Sequence, residues 1–295
     1  MTMIISVIIP TLNRGESLKR ALLSLYNQIS NDYTIEIVII DDSPNNISSC
    51  VNELVSLLPE IPEKYIFFNV YVNHGEHGAA NARNLGVKNS IGEFITFLDD
   101  DDVYIEGRLN SMYKFFIDSN EKYSFISSKR LYEKDNIADV LVKKQQVGVI
   151  TEDINKYGNS IDIGIFLRKK TFLDVGGFDS SLIAFEDWDL ILRLLRIKPC
   201  YKLNRYDYLV NDDSDRNRVS NNESISYELI AAKHRDIYGD DWYYRIISKG
   251  LSRKNQMTLI KCVSLVFESK NIIPVKYYLI NKLIKIGLFN KIKKL

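Results

Sequence analysis

Short runs of apolar, largely β-branched residues recur four times in the first hundred positions, and their length predicts buried strands. The runs span residues 4–9, 35–40, 65–72 and 93–98. Strands that alternate with helices in units of about 30 residues predict an α/β fold with a parallel sheet and right-handed crossovers. Between the first two runs, a stripe of apolar residues at helical spacing predicts an amphipathic helix: Leu18, Ala21, Leu22, Leu25, Tyr26 and Ile29.

Polar residues follow three of these runs directly. Pro10 and Thr11 follow the first run, Asp41 and Asp42 follow the second, and an unbroken series of aspartates, residues 99–102, follows the fourth. Ligands of parallel α/β sheets bind beyond the carboxyl ends of the strands. We therefore expect these positions, which are distant in the chain, to converge on one crevice.

The pattern after residue 104 is less regular. Residues 161–167 predict a further strand, and Glu186 with Asp187 opens an apolar helix. Residues 211–222 are polar and lack periodicity, which predicts a loop. The remaining part of the chain, residues 223–295, has a helical pattern.

The charge balance argues against one large class of function. Lys and Arg number 39 and Asp and Glu number 38, so the chain lacks the basic excess of a general nucleic-acid binder. Three widely spaced cysteines fit neither a disulfide framework nor a zinc ribbon, which indicates a reducing compartment. The sequence shows neither a signal-peptide pattern nor the roughly 18 apolar residues of a spanning helix. We expect a cytoplasmic protein, attached at most to a membrane surface.

The aspartates 99–102 have a structural and a functional interpretation. By composition alone they form an acidic, solvated turn. At the end of a buried strand, however, four carboxylates repel one another unless a cation neutralises them. Asp-x-Asp spacing can present two carboxylates to one hard divalent ion, which also binds diphosphate oxygens. Because the chain has neither glycine-rich phosphate-binding motif, a metal ion is favoured as the phosphate anchor.

Two other carboxylates also leave alternatives open. Asp42 either forms a turn with the Ser-Pro that follows it or accepts a hydrogen bond from a nucleobase N–H or a ribose hydroxyl. Asp187 either caps its helix, which contributes roughly 0.5–2 kcal/mol, or acts as a general base kept ionised by the helix N-terminus. Asp189 is the competing candidate for that base.

Six segments occur in a fixed order along the chain, and together they closely resemble the family-2 glycosyltransferases of GT-A fold. The resemblance covers about residues 4–200. The run of four aspartates departs from the family's Asp-x-Asp pattern and leaves the choice of metal ligand ambiguous by one residue. The segments are SVIIPTLNR at 6–14, IVIIDDS at 37–43, ARNLG at 82–86, GEFITFLDDDD at 92–102, GGFD at 176–179, and EDWDL from 186 with Arg193.

The resemblance implies a nucleotide-diphospho-sugar donor, a divalent metal ion (Mn²⁺ or Mg²⁺) and inversion at the anomeric carbon. Asp101 is implied as the first metal ligand, with Asp99 as the second, and Asp187 matches the family's general base. The donor-binding positions carried over from the family are Pro10, Thr11 and Arg14 at the nucleotide, Asp42 at the base (often uracil), Arg83 near the nucleotide, Asp99, and Asp100 facing the ribose or donor sugar.

The resemblance also implies an organisation and a role. A GT-A catalytic domain, with a parallel-core mixed sheet flanked by helices, would span residues 1–215. Its nucleotide-sugar-binding half would cover 1–104 and its acceptor-binding half 105–215, followed by a C-terminal helical extension over 216–295. The implied activity is transfer from a UDP-sugar to a hydroxyl of a glycan or polyprenyl-diphosphate-linked acceptor, in bacterial surface polysaccharide (O-antigen or capsule) synthesis.

Two other functions are weighed against this one. A catalytically silent glycan-assembly or binding subunit would have lost the matched carboxylates, and all of them are present. A sugar nucleotidyltransferase would carry a glycine-rich, basic loop after the first strand. The sequence PTLNRG at residues 10–15 does not supply such a loop.

The segment 271–295 combines lysines with apolar residues and has no acidic residue. A basic amphipathic helix is typical of a membrane-surface element, at roughly 1 kcal/mol per lysine near anionic lipid. Packing on the catalytic domain and a homodimer contact are the two alternatives. Attachment to the inner face of the cell membrane would agree with a lipid-linked acceptor. The lysines are Lys276, Lys282, Lys285, Lys291, Lys293 and Lys294.

Overall fold

The structure, a computed structural model, describes residues 2–43, 48–134, 137–141, 144–212 and 223–285. The strands are β1 (Met3–Thr11), β2 (Tyr33–Asp41), β3 (Ile66–Val72), β4 (Phe94–Phe97), β5 (Val103–Tyr104), β6 (Ile126–Lys134), β7 (Ile137–Leu141), β8 (Gly148–Ile150), β9 (Phe166–Arg168) and β10 (Cys200–Asn211). The helices are α1 (Gly15–Tyr26), α2 (Ser48–Ser56), α3 (Ala79–Asn89), α4 (Arg108–Asp118), α5 (Glu152–Asn155), α6 (Lys169–Asp174), α7 (Glu186–Ile197), α8 (Glu223–Arg253), α9 (Leu259–Ser269) and α10 (Ile273–Lys285).

The strands form one sheet in the order β3-β2-β1-β4-β9-β6-β10-β5, with β7 beside β6 and β8 beside β10. Strands β3, β2, β1 and β4 are parallel to one another. Strand β9 runs antiparallel to both β4 and β6, so β6 has the same direction as β4. This mixed sheet with a parallel core confirms the predicted fold class.

The parallel strands are buried on both faces, which explains their continuous apolar sequences. On β2, Ile39 belongs to the core that includes α1, whereas Ile40 belongs to the core that includes α3. Gly86 of α3 lies so close to the sheet that a Cβ atom there would collide with the side chain of Ile8. The absence of a side chain at this position therefore lets α3 pack directly on β1.

The carboxyl ends of the parallel strands stop at one level. Thr11 of β1 pairs with Asp41 of β2, and Asp41 pairs with Val72 of β3. Beyond β4, the backbone N–H of Leu98 donates a hydrogen bond to the carbonyl of Ile8, 3.1 Å away. The aspartates that follow Leu98 consequently begin beside the end of β1.

The strand predicted over residues 161–167 is wrong in extent, because only Phe166–Arg168 of β9 is extended. Asp162 and Gly164, which lie within the predicted range, instead stand beside the fully buried Arg108. The Nη2 of this arginine donates a hydrogen bond to the carbonyl of Gly164, and it lies 3.9 Å from Oδ1 of Asp162. Contact with a distant buried charge therefore overrides the local apolar pattern.

The chain separates into two compact units, Met1–Ser180 with Glu186–Arg216 and Ser181–Phe185 with Asn217–Leu295. The first unit contains the whole sheet, and its division into two functional halves after residue 104 stays a prediction. The second unit contains α8, whose backbone leaves helical geometry at Gly239 (φ 79°, ψ 174°), together with α9 and α10.

The second unit has a small core of its own, formed by Met257, Cys262 and Leu265 with tyrosines of α8 and α10. Among the described residues, no helix has the length and apolar content that crossing a membrane requires. The segment 286–295 of the basic tail and residues 213–222 of the predicted loop lie outside the described residues.

Candidate functional site

The ends of β1 and β4 are joined through the side chain of Asp100. Its Oδ2 accepts a hydrogen bond from Thr11 Oγ1 at 2.8 Å, and its Oδ1 accepts one from Arg14 Nη1 at 2.9 Å. The same nitrogen of Arg14 donates to Oδ2 of Asp101 at 3.1 Å. Burial raises the pKa of Asp100 because it removes water from the charged form. With Pro10 directly before Thr11, five predicted positions lie together here.

Arg83 on α3 connects the aspartates to the beginning of α7. Its Nη2 donates a hydrogen bond to Oδ1 of Asp99 at 2.6 Å, and its Nη1 donates to Oε1 of Glu186 at 3.2 Å. Only 7% of its side chain is exposed. Burial lowers the pKa of Arg83, but the carboxylates of Asp99 and Glu186 outweigh burial and raise it above its ordinary value. The guanidinium is therefore a permanent charge that joins two distant segments.

Asp187 stands beside Glu186 in the first turn of α7. Its Oδ1 accepts a hydrogen bond from the backbone N–H of Trp188 at 2.6 Å, and its Oδ2 accepts one from Asn159 Nδ2 at 2.8 Å. Burial, and next the charge of Glu186, raise the pKa of Asp187 to about 6. Burial thus outweighs the effect expected of the helix N-terminus, which favours the ionised form. The carboxyl group still ionises below neutral pH.

Asp189, the competing base, is fully buried. It accepts hydrogen bonds from Nε and Nη2 of Arg193, at 2.9 and 2.6 Å. A carboxylate enclosed in this way cannot reach an acceptor hydroxyl. Asp187, which is partly exposed, is the better placed of the two.

Asp42, the residue after β2, lies close in space to the start of α3 and accepts hydrogen bonds from that segment. Its Oδ1 accepts from Asn73 Nδ2 at 2.6 Å and lies 3.0 Å from Nδ1 of His77, and its Oδ2 accepts from the backbone N–H of Gly78 at 2.8 Å. These contacts hold the loop between β3 and α3 against the end of β2. A carboxylate has about four acceptor positions, and these contacts with described residues occupy three of them.

Asp41 faces the opposite side of β2 and lines a cavity of about 240 Å³. Its Oδ1 accepts a hydrogen bond from the backbone N–H of Ser43 at 3.0 Å, whereas its buried Oδ2 has no partner among the described residues. A buried, unpartnered carboxylate oxygen is costly and calls for a donor from a ligand or water. The cavity is lined by Thr11, Asn13, Arg14, Gly15, Leu18, Asp41, Ser43, Val51 and Leu54.

The four consecutive aspartates are not equivalent. Asp102 is buried, accepts a hydrogen bond from the backbone N–H of Asn211 at 2.9 Å, and has a pKa raised by burial and by Asp99 and Asp101. Asp99 and Asp101 keep 32% and 20% of their side chains exposed. Of the four, the Asp-x-Asp pair 99 and 101 therefore presents its carboxylates to a ligand.

This pair fits a divalent ion that completes its coordination with substrate. Within the described ranges, no three His, Cys, Asp or Glu side chains are grouped so that they could hold a metal ion by themselves. Mg²⁺ is commonly held by one or two carboxylates together with substrate phosphates and water. Asp99 and Asp101 could supply the hard oxygen ligands that this arrangement needs, in exchange for their contacts with Arg83 and Arg14.

The sequence analysis missed several residues that shape the site. Asn159 orients Asp187, Glu186 pairs with Arg83, and Asn73 holds Asp42. Asn159 and Asn73 carry no periodic or motif signal, because each acts through a hydrogen bond to a distant residue. Glu186 stands in a matched segment, but its partner can be identified only from the fold.

Comparison with known proteins supports one family. The profile of glycosyl transferase family 2 matches residues 6–169. An uncharacterized glycosyltransferase of Haemophilus influenzae is 32% identical over 209 residues, which are 68% of this chain and 65% of the relative. The poly(ribitol-phosphate) beta-N-acetylglucosaminyltransferase TarP of Staphylococcus aureus is 26% identical over 265 residues, 85% of this chain and 74% of the relative.

Other similar proteins differ more in length or sequence. The GalNAc(5)-diNAcBac-PP-undecaprenol beta-1,3-glucosyltransferase of Campylobacter jejuni is 34% identical over 132 residues, 44% of this chain and 39% of the relative. The crystal structure of S. aureus TarS 1–349 in complex with UDP-GlcNAc has a TM-score of 0.66 at 16% identity, covering 97% of this chain and 92% of that one. At this identity the similarity establishes the fold.

Proposed function

Because the chain belongs to glycosyl transferase family 2, we propose that it transfers a sugar from a UDP-sugar to a hydroxyl group of a glycan or lipid-linked acceptor. The transfer is a single displacement that inverts the anomeric carbon. The observation that carries this proposal is the position of Arg83, which contacts Asp99 of the acidic run and Glu186 beside Asp187. One crevice thus holds the carboxylates needed at the leaving group and at the acceptor.

The donor is bound by the side chains at the ends of β1, β2 and β4. Asp100 holds Thr11 and Arg14 together next to Pro10, and these side chains line the pocket for the nucleotide with Asp100 on the side of the ribose or the donor sugar. Asp42 accepts the nucleobase N–H with its remaining acceptor position, and Asp41 offers a second acceptor from its cavity. Arg83 places its positive charge near the nucleotide.

The resident ion would be Mn²⁺ or Mg²⁺, held by Asp101 and Asp99. When bound, such an ion supplies positive charge that neutralises the leaving diphosphate.

Asp187 accepts the proton of the acceptor hydroxyl as the hydroxyl oxygen attacks the anomeric carbon. Asn159 donates a hydrogen bond to Oδ2 of Asp187 and so fixes the orientation of the carboxylate relative to the acceptor. A pKa of about 6 leaves the group mostly ionised at neutral pH and close to the value that suits general base catalysis. The bond between the anomeric carbon and the phosphate oxygen breaks, and UDP leaves.

The names of two relatives suggest the biological setting. TarP is named for poly(ribitol-phosphate), and the C. jejuni enzyme for an undecaprenol-linked saccharide. We assign this chain to bacterial surface polysaccharide synthesis (O-antigen or capsule), in the cytoplasm at the inner face of the membrane. In α10, the apolar side chains of Val275, Leu279 and Leu283 are exposed together with Lys276 and Lys282, which supports contact with a lipid surface. A homodimer contact is the competing use of this segment.

Thermal denaturation with a panel of UDP-sugars, with and without Mn²⁺, tests the proposal. A ligand at about 100 times its Kd stabilises the protein by roughly 2.7 kcal/mol. We expect metal-dependent stabilisation by one UDP-sugar in the wild type and its loss in Asp101→Asn. Release of pyrophosphate from UTP in place of UDP from the sugar donor would favour a nucleotidyltransferase.

A further inference from the structure

Arg130 of β6 lies at the same edge of the sheet as the acidic run. Ile126 of β6 pairs with Phe166 of β9, and Phe166 pairs with Thr96 of β4. Arg130 comes four positions after Ile126, and Asp100 comes four positions after Thr96. Because β6 and β4 run in the same direction, the two counts lead toward the same edge of the sheet. Two strand spacings, roughly 10 Å, separate the two strands. By this count, Arg130 lies at about the level of the acidic run, on the strands proposed for the acceptor side.

The backbone of Arg130 is fixed, but its guanidinium is not hydrogen bonded. Its N–H donates to Gln145 Oε1 at 3.0 Å, and its carbonyl accepts from Gln145 Nε2 at 2.7 Å. No hydrogen bond joins the guanidinium to a residue that the structure describes, and 24% of the side chain is exposed. A partly desolvated guanidinium with unused donors is costly without a ligand.

Asp162 orients this guanidinium without saturating it. Its Oδ2 lies 3.8 Å from Arg130 Nε, beyond hydrogen-bond distance, and its Oδ1 lies 3.9 Å from Nη2 of Arg108. Asp162 is 3% exposed, and neither of its oxygens accepts a hydrogen bond from a residue within the described ranges. One carboxylate is thus shared between two arginines.

A short segment connects this pair to Asp187. Asn159, three positions before Asp162, donates its hydrogen bond to Asp187 Oδ2 at 2.8 Å. The charge of Arg130 is also among the influences that lower the pKa of Asp187 against the effect of burial. The unused donors of Arg130 therefore lie near the carboxylate that would accept the acceptor's proton.

We propose that Arg130 binds an oxyanion, a phosphate or a carboxylate, that the acceptor carries near its reacting hydroxyl. This inference rests on the proposed function, because it takes Asp187 as the base. The planar guanidinium fork matches two oxygens of such a group, and its attraction is strengthened in a site with little water. The preferred acceptor is accordingly an anionic saccharide or polyol, and Asp162 is a positioning residue.

The resonance of the Arg130 Nε–H in a ¹⁵N–¹H spectrum tests the site directly. It is assigned by its disappearance in Arg130→Lys. The protein is saturated with UDP and Mg²⁺, so that the donor's phosphate positions are filled, and is then titrated with methyl phosphate or with acetate. We expect a saturable shift of this resonance, and the probe with the lower Kd identifies the type of oxyanion.

Two outcomes would overturn the proposal. Either the resonance does not move with methyl phosphate or acetate while UDP is bound, or it responds only when UDP is absent, which would assign Arg130 to the donor. Failure of the proposed function would look different, because UDP itself would not stabilise the protein against heat.

Variants provide a second measurement that does not depend on the spectrum. Arg130→Gln should weaken binding of the better probe roughly 10- to 100-fold, the effect of losing a charged hydrogen bond. Asp162→Asn should weaken it less, and UDP affinity should stay unchanged in both. Arg168→Gln, which removes a surface arginine paired with Glu93 and Glu121, is the matched control. Unaltered probe binding in Arg130→Gln would refute the assignment.

Discussion

The two sides of the crevice differ in how their charges are paired. On the donor edge, Arg14 donates to Asp100 and Asp101, and Arg83 donates to Asp99 and Glu186. On the proposed acceptor edge, the Arg130 guanidinium has no hydrogen-bond partner among the described residues, and Asp187 accepts hydrogen bonds from a neutral asparagine and a backbone N–H.

The difference is instructive because paired and unpaired charges respond differently to a ligand. On the proposed function, a donor diphosphate would have to exchange ion pairs that already exist, and a metal ion would supply the compensating charge. An acceptor meets groups that gain partners when it binds. The same lack of partners lets burial raise the pKa of Asp187 into the range useful for catalysis.

The largest expected effect is at the base. Asp187→Asn removes the proton acceptor and keeps the shape of the side chain. We expect transfer to slow by roughly 10²- to 10⁴-fold, measured as UDP release in the presence of acceptor, with unchanged UDP affinity. The control is Asp174→Asn, which changes an exposed aspartate on α6. Retention of transfer in Asp187→Asn would move the base to another residue.

Arg83→Gln tests whether the ion pairs of Arg83 with Asp99 and Glu186 stabilise the protein. The change leaves Asp99 and Glu186 without their counter-charge, and because both carboxylates are partly exposed we expect a cost of about 1–3 kcal/mol. We expect a loss of that size in the free energy of unfolding measured in urea. Lys170→Gln, which breaks an exposed ion pair with Asp174 on α6, should lose at most about 1 kcal/mol. Similar losses in the two variants would show that the Arg83 contacts are weak.

Asp42→Asn and Asp41→Asn separate the two carboxylates at the end of β2. If Asp42 accepts the nucleobase N–H, its replacement should weaken UDP binding roughly tenfold, as expected for one lost hydrogen bond to a charged group. Isothermal titration with UDP and Mg²⁺ measures the effect. An equal or greater loss in Asp41→Asn, with normal binding in Asp42→Asn, would place the base in the Asp41 cavity.

The smallest expected effect is the dependence of kcat/KM on pH, because little changes near neutral pH. Because the pKa of Asp187 is raised to about 6, the group is protonated below that pH and can no longer accept a proton. The value of kcat/KM should fall roughly tenfold per pH unit below pH 6 and should not change with pH above pH 7. Glu186→Gln removes a repelling charge and should move the fall to lower pH. A profile that is level down to pH 5 would contradict the assignment.

Much of the fold follows from local pattern. The runs at 4–9 and 35–40 lie within β1 and β2, because β-branched apolar residues buried on both faces have few alternatives. The convergence of Thr11, Arg14 and Asp100 was also predictable, since the carboxyl ends of parallel strands meet at one edge. The strand at 161–167 failed because Asp162 and Gly164 contact Arg108 far away in the chain.

The amino-acid sequence by itself determined the alternation of strands and helices, and with it the edge at which the acidic residues gather. Only the tertiary structure decided which carboxylates are buried, which are paired and which remain open to a ligand. The physical reason is that periodicity is a property of neighbouring residues. The partners of Asp102, Asp187 and Arg130 come from segments brought close by the fold, and those partners set each charge's surroundings.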